Sequence, residues 1–328
     1  MAAFTSPIFY FLLASLVASV TAPIIIIILR RVKAGQEILK YVEMHKGKSG
    51  TPTMGGFIFI IPVIAIVPIF MRASTPALMI CFFASLGFAF LGFWDDFIKI
   101  RGKDNQGLRA YQKIIGQALI ALVVSVLFYL LNPEGRMVIP FANVVWEFGL
   151  FAPPLVFVAI IATTNSVNLT DGIDGLAGGV TFAFLAIIVI LISFVSGILS
   201  FPESAELMQL AAIVGGGIIG FLLFNSNKAK VFMGDTGSLF LGSMVATIAI
   251  FSYMMLFILV IGVMFVLSAV TVIIQVGYFK VTKGKLVFLM TPFHHHLEHK
   301  GWGEARIVAL YTTVTLLVGG FVVLTFLW

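Results

Sequence analysis

The sequence predicts an all-α integral membrane protein of about ten transmembrane helices, with both termini outside and a polar site at the cytoplasmic face. Three observations carry that prediction. Hydrophobic residues make up 60% of the 328 and charged residues only 10%, with a mean hydropathy of +1.12; soluble domains run near 25% charged. Apolar runs of bilayer length, roughly 17–25 residues, recur along the whole chain. Lysine and arginine gather in alternate connecting loops, as the positive-inside rule requires.

The first run, 6–29, has its positive charges Arg30, Arg31 and Lys33 after the apolar stretch and no small-residue cleavage site. It reads as a retained span with its N-terminus outside, not as a removed leader. Further spans are expected at 54–71, 77–93, 111–131, 148–163, 179–199, 207–224, 237–256, 258–279 and 305–327. The uncharged stretch 237–279 is too long for one helix and is divided by a tight hairpin near Ser252-Tyr253. On this map the inside loops hold 18 of the chain's 20 lysines and arginines, leaving only Arg72 and Arg136 outside. A single span over 237–279 would put Lys280, Lys283 and Lys285 on the wrong side, which favours the division. Residues 1–328 form one polytopic domain with no low-complexity tract or evident repeat. Cys81, the one cysteine, lies in an apolar run and is expected to be packing.

The same map places every aspartate and every histidine on the inside face, while Glu134, Glu147, Glu203 and Glu206 fall in outer loops. Asp95-Asp96 ends the third apolar run. Adjacent carboxylates at a helix end repel unless a cation or a proton sits between them, so they read as a metal- or proton-handling pair, or as a solvated terminus. Lys99, Lys103, Arg109 and Lys113 nearby would attract an anionic head group or a nucleotide, although topology alone accounts for some of them. Asn165, Asn168, Asp171 and Asp174 recur every three residues, near one helical face, and Gly172 and Gly175 permit tight turns or close ligand approach. Four such residues exceed what a helix cap needs. They suit a uracil edge and ribose hydroxyls, or part of a metal site.

Phe232-Met-Gly-Asp-Thr-Gly-Ser238 opens a long apolar run. Glycines on both sides of Asp235 suggest backbone close to a ligand, with Asp235 as a hard oxygen donor for Mg²⁺, which takes one or two carboxylates and completes its shell with phosphate and water. His294-His295-His296 has no zinc spacing and reads as phosphate contact or as loop-ordering hydrogen bonds. Thr51-Pro-Thr-Met-Gly-Gly56 is either a turn before a helix or a phosphate loop outside the usual pattern. Asp104, His45 and His299 read as surface residues.

The segments Gly50–Gly56, Trp94–Lys99, Gly107–Lys113, Asn165–Ala177, Val231–Ser238 and Thr291–Glu304 together resemble the phospho-N-acetylmuramoyl-pentapeptide transferase family of the polyprenyl-phosphate N-acetylhexosamine-1-phosphate transferase superfamily. The resemblance implies ten helices, commonly in a homodimer, in the bacterial plasma membrane. It also implies Mg²⁺-dependent transfer of phospho-MurNAc-pentapeptide from UDP-MurNAc-pentapeptide to undecaprenyl phosphate, giving lipid I and UMP with no nucleic acid involved. By motif position it makes Asp95, Asp96 and Asp235 catalytic, with Asp235 the magnesium ligand, and Lys99, Lys113, His294, His295 and His296 part of the same machinery. Lys48, Asn168, Asp171, Gly172, Asp174, Asn225 and Phe232 match nucleotide-side positions, Phe232 by stacking on uracil. The family usually has proline where this chain has Lys228. The rivals are a sister enzyme using another UDP-sugar and, from a different class, a secondary transporter or flippase. The polar residues' position at helix ends instead of mid-span disfavours the second.

Overall fold

The computed structural model describes residues 6–32, 50–70, 75–102, 107–226 and 228–327, nearly all of them helical. Among the described residues twelve α-helices run in order: α1 (Pro7–Arg31), α2 (Phe57–Phe70), α3 (Pro76–Gly102), α4 (Ala110–Leu131), α5 (Ala152–Thr170), α6 (Leu176–Leu199), α7 (Ser204–Asn225), α8 (Gly234–Phe251), α9 (Phe257–Ile261), α10 (Val263–Thr282), α11 (Phe293–His299) and α12 (Glu304–Leu324). Among the described residues nine helices are long and apolar enough to cross a membrane. The described part of the second expected span, α2, has 14 residues, and residues 71–74 after it lie outside the described residues; before it, residues 50–56 form a loop against the start of α8.

The outward faces confirm the solvent. Along α1, Ile8, Leu12, Leu16, Val20 and Ile24 are exposed, while Ala14, Ala18 and Ala22 face inward. Large apolar groups outside and small ones inside is the pattern of a helix that meets lipid on one side and packs closely on the other. The small groups let α7 approach: a Cβ on Gly216 would lie 2.2 Å from the Phe11 carbonyl, and one on Gly220 2.4 Å from Ala18 Cβ.

Helix α8 forms the centre, buried along nearly its whole length and packed against α3 and α5. Glycine again sets the distance. A Cβ on Gly92 of α3 would meet the Asp235 carbonyl at 2.0 Å, and one on Gly242 of α8 would meet Thr164 Cα of α5 at 2.6 Å. Ser85 and Ser243 add a buried hydrogen bond of 3.0 Å between α3 and α8.

The expected hairpin is present. Helix α8 stops at Phe251, Tyr253 turns the chain at φ +62°, and the Met254 amide donates back to the Ala249 carbonyl. The returning segment is two helices instead of one, since the chain breaks at Gly262 between α9 and α10. A small antiparallel ribbon, β1 (Arg136–Val138) with β2 (Val145–Glu147), was not expected. The Val138 amide donates to the Tyr253 carbonyl at 2.8 Å, so the ribbon lies at the end of α8 opposite Asp235.

Two predicted boundaries move, and both matter to the site. Helix α3 does not end at the aspartates but runs on to Gly102, because hydropathy marks where apolar character stops and not where the helix does. An Asp95–Lys99 ion pair of 2.6 Å, one turn apart, supports the continuation. Helix α5 likewise extends to Thr170 and carries Asn165 and Asn168 in its last turns.

Candidate active site

The C-terminal parts of α3 and α5 and the N-terminal ends of α4 and α8 meet around three carboxylates. Asp95, Asp96 and Asp235 each offer an oxygen within 4.8 Å of the others. Asp95 and Asp96 are 3% and 2% exposed, and such groups persist in a membrane protein only when partners compensate them.

Each carboxylate has a different set of partners. Asp96 accepts from the Asp235 amide at 3.2 Å, from the Thr236 amide at 2.9 Å and from the Thr236 hydroxyl at 2.7 Å. It therefore caps α8 from a neighbouring helix, at the end where unpaired amides and the helix dipole favour a negative charge. Asp95 accepts from the Leu108 amide at 2.7 Å and pairs with Lys99 at 2.6 Å. Gly107 lies so close to it that a Cβ there would fall 2.4 Å from Asp95 Oδ1. Asp235 takes both ammonium groups on one oxygen, with Lys99 Nζ and Lys113 Nζ each 2.8 Å from Oδ2. Its other oxygen accepts from Asn168 Nδ2 at 2.6 Å, and the same amide group reaches Ser238 Oγ at 2.7 Å.

The turn between α5 and α6 adjoins this cluster. Asp171 caps α5 and is half-buried. The low-polarity surroundings, and then the negative charges of Asp235, Asp96 and Asp174, push its carboxyl well above the ordinary carboxylate range. Asp174 accepts from the Ala229 amide at 2.9 Å. Asn225 is buried and uses its amide internally, accepting from the Gly175 amide and donating to the Val231 carbonyl, both at 2.9 Å. It joins the turn to the strand-like segment that leads into α8.

The loop 50–56 clasps that same segment. The Phe232 amide donates to the Pro52 carbonyl at 2.8 Å, and Gly55 and Gly56 donate to the Phe232 and Met233 carbonyls at 2.8 and 3.0 Å. Backbone meets backbone at its end, where a Cβ on Gly56 would lie 2.3 Å from Gly237 Cα. These glycines are explained by contact between helix starts. Phe232, half-buried, is held by its own backbone pairing.

The three histidines lie on and around α11 and differ from one another. His294 is fully buried, and its ring rests on Gly172, where a Cβ would fall 2.1 Å from Nε2. His295 Nδ1 lies 2.6 Å from Glu298 Oε2, and the His294 and His295 rings are 4.3 Å apart. His296 Nδ1 accepts from the Leu289 amide at 3.1 Å and its ring stacks on Phe293 at 5.6 Å. Burial first, then Lys300 and His299, lower its imidazole below the ordinary histidine value. Gln275, a lone amide within apolar α10, fixes the preceding loop through the Phe288 carbonyl and the Val287 and Phe288 amides at 2.9–3.0 Å.

The structure thus brings together Asp95, Asp96, Lys99, Lys113, Asn168 and Asp235, and beside them Asp171, Gly172, Asp174, Asn225, Phe232 and His294. Lys48 lies outside the described residues. Sequence reasoning weighed Thr236 only as a helix cap and passed over Ser238, Gln117, which accepts from Asn165 Nδ2 at 2.7 Å, and Gln275. A polar side chain inside an apolar helix was the available signal for both glutamines. The Leu108 amide had none, since it is a backbone group.

A divalent cation fits this donor set. The donors are carboxylate oxygens, the chemistry of hard cations, and two lysines already supply positive charge where one would sit.

Residues 78–253 match the sequence profile of glycosyl transferase family 4, which includes all three carboxylates. The chain is 39% identical over 314 residues to a phospho-N-acetylmuramoyl-pentapeptide-transferase of Clostridium novyi (strain NT), covering 95% of this chain and 94% of that protein. The protein of that name from Clostridium botulinum (strain Alaska E43 / Type E3) is 43% identical over 308 residues, 93% and 92% of the two chains. That from Halalkalibacterium halodurans is 40% identical over 328 residues, 97% and 96%. With the fold, the carboxylate–lysine cluster and end-to-end relatives in agreement, the chain belongs to the phospho-N-acetylmuramoyl-pentapeptide-transferase family and to glycosyl transferase family 4.

Proposed function

We propose that the chain transfers phospho-MurNAc-pentapeptide from UDP-MurNAc-pentapeptide to undecaprenyl phosphate, releasing UMP and forming lipid I, at the cytoplasmic face of the bacterial plasma membrane. The observation that carries this reading is the convergence of Asp95, Asp235, Lys99 and Lys113 at helix ends in a member of this family. Two phosphate anions must approach, so neutralising charge matters more than moving protons. Loop charge supports the cytoplasmic assignment.

An oxygen of the lipid phosphate attacks the sugar-bearing phosphorus of the donor. The bond from that phosphorus to the bridging oxygen breaks, and the electron pair leaves on UMP. Magnesium, when bound, supplies charge neutralisation to the diphosphate, and Asp235 is the residue that would hold it, with Asp95 nearby. Asp95, fixed by the Leu108 amide, orients the lipid phosphate or takes its proton. Lys99 and Lys113 hold the phosphate oxygens. Asp96, with three hydrogen bonds from the start of α8, positions Asp235; direct attack is favoured over an aspartyl-phosphate route because the lipid phosphate is already an adequate nucleophile.

On the nucleotide side, Asn168 orients Asp235, while Asp174 and Asn225 frame the turn on which Asp171 and Gly172 meet the donor. Phe232 stacks on uracil, and Lys48, outside the described residues, is a further nucleotide-side residue by motif position. His294 supports Gly172, His295 contacts phosphate and His296 orders the loop. The working form is a homodimer, testable from the mass of the detergent-solubilised complex.

The decisive assay is UMP release from UDP-MurNAc-pentapeptide by purified protein, with and without undecaprenyl phosphate and Mg²⁺. Release is expected only with both. Equal release from UDP-GlcNAc would favour the sister activity, and substrate movement across a vesicle without UMP release would overturn the enzyme reading.

A further inference from the structure

We propose that Lys99 and Lys113 are exchangeable counter-ions of Asp235, with Lys113 the one that moves: it holds the carboxylate until a divalent cation arrives, then passes to the donor's phosphates. This rests on the cation-binding role given above to Asp235.

Geometry makes the two occupancies exclusive at one oxygen. Both ammonium groups lie 2.8 Å from Asp235 Oδ2, while Oδ1 accepts one hydrogen bond from Asn168 at 2.6 Å. An oxygen accepting two ammonium hydrogen bonds has no free lone pair for a metal. A cation at the usual ~2.1 Å from that oxygen would also sit against two positive charges. Binding at Oδ2 therefore requires an ammonium to leave.

The two lysines are not equivalent. Lys99 has a second place to rest, because Asp95 Oδ2 is 2.6 Å from the same Nζ. For Lys113 the next carboxylate oxygen, also on Asp95, is 4.0 Å away. Lys99 gives up Asp235 with one strong pair intact, whereas Lys113 is left to find another anion. Its side chain is 17% exposed, and a lysine stem swings freely enough to re-aim its charge. The anion that enters beside it is the diphosphate.

The exchange couples the two ligands. Cation binding releases an ammonium that favours phosphate, and phosphate draws the ammonium away from the cation's ligand. Each then strengthens the other by the same factor, as linkage requires.

The test measures Mn²⁺ binding to the purified full chain in detergent by electron paramagnetic resonance, without nucleotide. Lys113→Met is expected to bind Mn²⁺ about tenfold tighter than the unmodified chain, the effect of removing a close like charge. Lys99→Met should show a smaller gain. Lys113→Arg, which keeps the charge, and Arg109→Met, which removes a charge from the start of the same helix without touching Asp235, should both stay within about twofold of the unmodified chain on the same reasoning. Melting temperatures identify any variant that fails to fold, and Lys113→Gln then replaces Lys113→Met. Unchanged or weaker Mn²⁺ binding in Lys113→Met, with binding lost in Asp235→Asn, overturns the exchange and leaves the metal role standing. An equal gain in Arg109→Met also overturns it, as a general field effect. Undiminished binding in Asp235→Asn removes the metal role itself.

Discussion

Asp96 and Thr236 are joined twice, since the amide and the hydroxyl of Thr236 both donate to Asp96 Oδ2, at 2.9 and 2.7 Å. A side chain of α3 thereby performs the capping that α8 lacks from its own N-cap residue, since Met233 makes no side-chain cap bond. The position of Asp235, the next residue back, depends on that cap.

Thr236→Val removes the hydroxyl bond and keeps the shape. A hydrogen bond to a charged group contributes roughly 1.5–3 kcal/mol, so a lowered melting temperature in detergent is expected, with reduced UMP release. Thr236→Ser should recover both. Asp96→Asn, which also weakens the amide bonds, should be worse than Thr236→Val. If the two substitutions prove equal, the cap has no special part in holding Asp235.

Asp235→Asn keeps the size of the side chain and removes the charge that two lysines share and that would hold a cation. Loss of a preorganised electrostatic group at such a centre typically costs about 10²–10³ in turnover. Chelation of divalent cations should stop the unmodified chain reversibly, with activity restored by Mg²⁺ and not by an equal ionic strength of sodium. Near-normal UMP release from Asp235→Asn at ordinary Mg²⁺ would refute the ligand role.

Gly56→Ala tests the contact between the starts of α2 and α8. The added methyl would meet Gly237 Cα at 2.3 Å, backbone against backbone, with no side chain to move aside. Overpacking of this kind costs roughly 1–3 kcal/mol, read as a lower melting temperature. Gly277→Ala in α10, where nothing lies within 4 Å, should be neutral or gain up to about 1 kcal/mol from helix propensity. Equal behaviour of the two would refute the close approach.

Lys228 adopts φ +66°, which proline, fixed near −65°, does not reach. A proline at this position would therefore require a different backbone path as well as a stiffer one. Lys228→Pro should lower the melting temperature, with a strain of roughly 1–3 kcal/mol, and disturb the Ala229–Asp174 hydrogen bond. Lys228→Gly should relieve about 1 kcal/mol of left-handed strain. A stabilised Lys228→Pro would show that the turn has another accessible path.

Hydropathy located the spans well because lipid selects on apolar length, and the hairpin at Ser252-Tyr253 followed from that length together with loop charge. Boundaries inside the polar ends were illegible for the same reason. Beyond Trp94 the hydropathy falls although α3 continues, so Asp95 and Asp96 looked terminal when they lie on an unbroken helix. The break at Gly262 hides within a uniformly apolar run. At the site, residue type showed which side chains carry charge but not what they face. Nothing in the spacing indicated that Asn225 accepts from the Gly175 amide or that Asp96 caps α8, since these pairings join segments 50 and 140 residues apart.

The continuation of α3 past its aspartates fixes a depth. Gly102, the last described residue of α3, is six positions past Asp96, so the carboxylates lie at least about 9 Å inboard along the helix, beside the starts of α2 and of α8. Chemistry at that level is met from two phases. On the proposed function, a site recessed in this way would let a lipid present its phosphate along the membrane plane while its chain stays in the bilayer, and would let a water-soluble donor enter from the helix ends.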